Sequence, residues 1–127
     1  MRVLLIESDR LQADTYVAAL KRAGHTVSHA ANAQLAVHAA DEHIPDVVVL
    51  ELQLSGHNGV EFLYEFRSYP EWLHVPVVLY TFVLPDELAP AATLQRELNV
   101  RRVLYKPATS LAELCVAVQD VVLVKET

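Results

Sequence analysis

The sequence predicts an α/β protein, a parallel five-stranded sheet with five helices covering both faces. Short uninterrupted apolar runs recur at residues 3–6, 47–50, 77–79 and 103–104, with a weaker run at 25–30. Each is followed by a stretch of helical character. Strands buried on both faces need not alternate apolar with polar residues. Strand–helix alternation is the pattern of parallel strands joined by right-handed crossovers.

The elements follow in order. Residues 10–23 carry Leu11, Tyr16, Val17 and Leu20 near helical spacing, with Asp9 or Ser8 as N-cap and Gly24 as the stop. Residues 32–43 read as a second helix, 59–69 as a third and 86–98 as a fourth. A fifth spans 110–125, with Leu111, Leu114, Cys115, Val118 and Val122 on one side. Trp72, with Tyr69 and Pro70, marks the turn before the fourth strand, and Gly56 and Gly59 suit a tight loop after the third. The 127 residues suffice for one domain, 1–127.

Composition excludes several function classes. Hydrophobic residues make up 53% and charged residues 20%, which is wrong for a disordered chain. The net charge of -6, with only 10 Lys plus Arg, argues against direct nucleic-acid binding. Arg101-Arg102 alone is too small a basic patch. The opening MRVLLIESDR is too short an apolar run for a signal peptide, and no run nears the roughly 20 residues of a membrane span. A cytoplasmic protein without membrane contact is expected. VVLVKET suits either a natural end or the start of a linker. Cys115, the single cysteine, lies in LAELCVAV and reads as core filler. His25, His29, His38, His43, His57 and His74 form no metal signature and read as surface residues, although His57, in the loop after Glu51, could tune the rim by its protonation. There is no Gly-rich phosphate loop and no Ser-His-Asp arrangement, so no enzymatic activity is expected.

Sites in open parallel sheets form outside the carboxyl ends of the strands. Polar residues stand at four such ends: Glu7, Ser8 and Asp9 after the first strand, Glu51 after the third, Thr81 at the fourth and Lys106 at the fifth. Scattered in sequence, they can meet on one rim.

With VLLIESD, VVVLELQLSGHNGVEFL, PVVLYTF and VLYKP, the chain resembles the receiver domain of bacterial response regulators over essentially its whole length. The resemblance implies a doubly wound, flavodoxin-like sheet in the order 2-1-3-4-5. It implies that a histidine kinase phosphorylates an aspartate ending strand three, and that two acids after strand one hold Mg²⁺. It further implies that a strand-four Ser/Thr and a strand-five Lys bind the phosphoryl oxygens, while a strand-five aromatic swings as a switch. By position, Glu51 is the phosphoacceptor equivalent and Glu7 with Ser8 the acid pair, Asp9 adjoining. The Gln53 carbonyl falls where the metal would be, Thr81 is the hydroxyl, Lys106 the lysine and Val103 the switch position. Lys106-Pro107 is a candidate cis bond.

Four departures agree with one another. Glu51 is one methylene longer than Asp, and misplacement on the order of 1 Å can cost roughly 100-fold in rate. Its single charge could imitate the modified state, or it could bond Lys106 and fill the cavity. Ser8 replaces a metal-binding carboxylate, weakening a Mg²⁺ site. Asp9 could substitute, but capping the next helix is its simpler role. Phe82 stands where a small residue is usual, and either crowds the pocket mouth or turns into the core. Val103 is stiff at χ1 and cannot swing as an aromatic does, and Tyr105, two residues on, lies at another depth. Lys106 could neutralise Glu7 and Glu51 or still bind phosphoryl groups.

The expectation is therefore an atypical, or pseudo-, receiver in a two-component pathway, without cofactor and independent of phosphorylation. It would act by contact with a histidine kinase, an output domain or itself. The fourth helix, fifth strand and fifth helix would form the docking face, exposing Leu94, Arg96, Glu97, Arg101 and Arg102. The alternative is a working phosphoacceptor with a rearranged Mg²⁺ site drawn from Glu7, Asp9, Glu51 and Gln53.

Overall fold

The computed structural model describes residues 1–55, 57–84, 87 and 91–126. Five strands, β1 (Arg2–Ile6), β2 (Thr26–Ala30), β3 (Val47–Leu50), β4 (Val77–Thr81) and β5 (Val100–Tyr105), form one sheet in the order β2-β1-β3-β4-β5. All four pairings are parallel. Five α-helices are found among the described residues: α1 (Arg10–Arg22), α2 (Ala33–Glu42), α3 (Gly59–Arg67), α4 (Ala91–Arg96) and α5 (Leu111–Glu126). A two-residue antiparallel hairpin pairs Gln53–Leu54 with His57–Asn58.

Local chemistry explains the helix starts. The side chains of Asp9, Asn32 and Asn58 accept from the backbone N–H groups of Gln12 (2.9 Å), Leu35 (2.8 Å) and Val60 (2.8 Å). Each satisfies a donor that the first helical turn leaves free. Ser110 and Glu113 form a reciprocal capping box at 3.1 and 3.0 Å, and hydrogen bonding from the backbone N–H and then the hydroxyl of Ser110 holds the Glu113 carboxyl below its ordinary range. Gly24, at φ 97°, turns the chain after α1, a left-handed conformation that glycine takes without a Cβ penalty.

The core lies on both sheet faces. Val3, Leu5, Val47, Val49, Val78 and Tyr80 face α1 and α5, whereas Leu4, Ile6, Val48, Leu50, Val77 and Leu79 face α2, α3 and α4. Trp72 ends the short 3-10 turn Pro70–Trp72 and stacks on Phe66 with ring centroids 5.0 Å apart. Arg67 fastens this region. Its guanidinium donates to the carbonyls of Leu98 (2.9 Å), Trp72 (2.7 Å) and Val75 (2.5 Å). Burial, with Arg101 adding, pulls this guanidinium down to about 10, so it stays charged at neutral pH.

Several expectations are corrected. Leu11 is 82% exposed, while Ala13, Tyr16, Ala19 and Leu20 are the buried stripe of α1. Two residues of helix turn the chain by roughly 200°, so Ala13 inside puts Leu11 outside. Leu94 is buried, one turn before Leu98 in the same core, so it is not part of an exposed docking face. His25 is likewise buried, its Nδ1 without a hydrogen-bond partner, and burial lowers its basicity. The Lys106-Pro107 bond is trans, with Pro107 inside the 3-10 turn Lys106–Ala108, whose start its fixed φ suits. Gly56 and the first residues expected of the fourth helix, Asp86 among them, lie outside the described residues, as does the side chain of His57. Among the described residues no helix is long and apolar enough to cross a membrane.

Candidate functional site at the carboxyl rim of the sheet

Strand register brings the four strand ends together. Ile6 lies opposite Leu50, and Thr81 opposite Tyr105. The residues that follow, Glu7, Glu51 and Lys106, therefore emerge side by side with Thr81. The ladder continues one step past the strands, with Glu7 N–H donating to Ala30 O and Glu51 N–H to Ile6 O, each at 3.1 Å. Gly59 starts α3 against this turn. A Cβ there would lie 2.8 Å from Leu52 Cα and 3.0 Å from Glu51 O, so only glycine lets the two segments pass.

Glu7, Glu51, Thr81 and Lys106 are all buried. Lys106 Nζ donates to Glu7 Oε1 at 2.5 Å, Gln12 Oε1 at 2.9 Å and Glu51 Oε1 at 3.0 Å. The longer side chain of Glu51 reaches the strand-four hydroxyl, and Thr81 Oγ1 donates to Glu51 Oε2. Backbone N–H groups complete the acid's shell, Gln53 on Oε2 at 3.1 Å and Phe82 on Oε1 at 3.2 Å. Glu7 Oε2 accepts from Asp9 N–H at 3.1 Å. All four carboxylate oxygens thus hold partners, as buried charge requires.

Aromatic rings surround the ammonium. Tyr16, Tyr80 and Phe82 have ring centroids 5.3, 5.7 and 4.8 Å from Lys106 Nζ, within cation–π range. Phe82 is 47% exposed, which decides its placement: it covers the lysine and does not turn into the core. Burial, then Glu7, Glu51 and Asp9, pushes the Tyr16 phenol up to about 12.

Ser8 Oγ accepts from Ser55 N–H at 3.2 Å, and Asp9 caps α1. Gln53 is exposed and Val103 is half-buried, packed against the α2–α4 side of the core opposite Leu79. The expectation that Glu51 fills the cavity is corrected. A cleft of about 400 Å³ remains above the ion cluster, lined by Ser8, Asp9, Gln12, Gln53, Ser55 and Phe82 together with Glu7, Glu51 and Lys106. Glu51 folds back onto Thr81, and Ser8 is too short to occupy the space a carboxylate would take.

Gln12 is the site residue that sequence reasoning missed. It reads as part of a polar helix face, and its only signal is its place one turn before Tyr16, where i and i+4 side chains meet.

Comparison with known proteins agrees with this architecture. The model of the response regulator receiver domain family matches residues 3–119. Transcriptional regulatory protein PhoP of Escherichia coli (strain K12) is 34% identical over 68 residues, 54% of this chain and 30% of that protein. Virulence transcriptional regulatory protein PhoP of Salmonella typhimurium (strain 14028s / SGSC 2262) is 31% identical over 81 residues, 64% of this chain and 35% of that protein. The matched segments span about a third of the length of these relatives. Among solved structures, a response regulator receiver domain (CheY-like) from Methylobacillus flagellatus has a TM-score of 0.80 at 22% identity, covering 95% of this chain and 98% of its own. Another, from Methanospirillum hungatei JF-1, has a TM-score of 0.84 at 16% identity, covering 98% and 95%. At these identities the likeness speaks to the fold.

Proposed function

The chain belongs to the response regulator receiver domain family, and from that premise we propose that it is an atypical receiver whose pocket lysine is permanently ion-paired with two acids. It acts by protein–protein contact in two-component signalling and does not turn over a substrate. One observation carries this reading: Lys106 bridges Glu7 and Glu51 while Glu51 also takes the hydroxyl of Thr81. In the family's scheme, the strand-five lysine and strand-four hydroxyl bind the oxygens of an incoming phosphoryl group. Here the glutamate occupies both. It supplies about one charge where a phosphate brings about 1.5 to 2, so it is a partial and constant stand-in for the modified state.

The donor set does not fit Mg²⁺. The ion favours near-octahedral oxygen ligands, with carboxylates among them. Ser8 stands in place of one carboxylate, and the ammonium already lies against Glu7 and Glu51. Among the described residues, no group of three His, Cys, Asp or Glu side chains is arranged to hold a metal.

The partner would be a histidine kinase, an output domain or a second copy. The exposed side chains of Arg96, Glu97, Arg101 and Arg102, in and around α4 and β5, mix both signs, as a protein-binding face would. A cytoplasmic location is part of this proposal.

The open cleft favours a second reading, a working phosphoacceptor with Asp9 assisting a metal. Incubation with acetyl phosphate and Mg²⁺ followed by intact mass measurement separates the two. The proposed function expects an unchanged mass and no Mg²⁺ binding in the millimolar range. A phosphoryl adduct on Glu51 or a neighbouring residue would overturn it.

A further inference from the structure

A lysine ammonium has three N–H donors. Here three side-chain oxygens take them, and the third, Gln12 Oε1, is uncharged and comes from the first turn of α1. That oxygen also accepts from the Tyr16 phenol at 2.8 Å. Tyr16 in turn packs edge-on against Tyr80, with ring centroids 5.0 Å apart and an interplanar angle of 71°. The amide is therefore aimed at the lysine by a buried aromatic pair, while its neighbour Leu11 lies almost wholly in solvent. Gln12 and Lys106 both line the cleft, so an N–H released by Gln12 would open onto it.

We propose that Gln12 is a positioning residue: by taking the third N–H of Lys106 it keeps the ammonium seated between the two acids and withholds it from any oxyanion that enters the cleft. The inference deepens the proposed function and rests on it. Glu7 and Glu51 alone would neutralise the charge yet leave one donor free. With Gln12 present, an entering oxyanion must break a charge-assisted hydrogen bond before it gains one. Tyr16, its phenol held far above neutral pH, remains a donor to Gln12 throughout the working range.

The test is competitive acylation of the full chain with an acetyl N-hydroxysuccinimide ester at several pH values. Reaction at Lys106 is read against exposed Lys21 by peptide mass. In the wild type Lys106 is expected to be strongly protected. In Gln12→Met, which keeps length and helix preference without an oxygen acceptor, Lys106 is expected to react about tenfold faster relative to Lys21, the worth of one such bond. Gln12→Glu restores an acceptor and is expected to protect as the wild type does. Gln12→Asn, which draws the amide back, serves as a second deprotecting variant should Gln12→Met fold poorly. Protection equal to wild type in Met and Asn variants, or equal deprotection in Met and Glu variants, would overturn the role of Gln12. A phosphoryl adduct on the wild type would instead overturn the reading on which that role rests, so the two failures are distinguishable.

Discussion

Replacing Lys106 with methionine is expected to destabilise the fold by about 3–5 kcal/mol at neutral pH, the usual cost of stripping a buried ion pair of one partner. Glu7 and Glu51 are each only 3% exposed, and the one ammonium touches both. Without it, two carboxylates face each other with no cation and little water. Urea unfolding of wild type and variant at the same pH measures the loss. Adding Glu7→Gln and Glu51→Gln should recover most of the loss even at neutral pH. A loss below about 1 kcal/mol, or one that the two glutamines leave unchanged, would contradict a buried cluster whose stability depends on the lysine charge.

Arg67→Met is expected to cost about 3 kcal/mol, although no part of the rim is touched. The guanidinium ties the end of α3 to the segment entering β4 and to the residue before Asn99. It does so through the carbonyls of Trp72, Val75 and Leu98. Hydrogen bonds to charged groups contribute roughly 1.5–3 kcal/mol each, and three carbonyls left together in a largely buried place lose their donors at once, a loss offset in part because the guanidinium no longer has to be desolvated. Arg67→Lys should recover less than half, because a compact ammonium cannot span three acceptors as a planar fork does. Urea unfolding again gives the measure. Full recovery by lysine would mean that charge alone matters at this position.

These two residues differ in how legible they were. Lys106 was visible from sequence because the carboxyl ends of parallel strands converge by rule, and residues 55 positions apart could be placed on one rim. Arg67 was not, because a basic residue in the last turn of a helix reads as solvent-facing. Its partner at Leu98 is 31 residues away, and only tertiary packing brings it near. The strands divided in the same way. VVVL at β3 is buried at every position and declares itself. β5, an edge strand with Arg101 and Arg102 exposed, offered only Val103 and Leu104. In α1 the large apolar Leu11 misled, whereas the small Ala13 and Ala19 that let the helix sit close to the sheet carry little apolar signal. The Glu51–Lys106 contact was anticipated, but the cleft left over it was not, since that depends on the direction in which Glu51 folds and on the short reach of Ser8.

The most direct test of the central claim is nitrogen-15 NMR of the lysine side chains at neutral pH, before and after addition of Mg²⁺ and acetyl phosphate. An ammonium seated among Glu7, Gln12 and Glu51 should give a Lys106 signal whose protons exchange slowly with water, unlike exposed Lys21, and which does not move when either reagent is added. A Lys106 signal lost to rapid exchange, or shifted by Mg²⁺ and shifted again by the phosphodonor, would contradict a permanently ion-paired lysine.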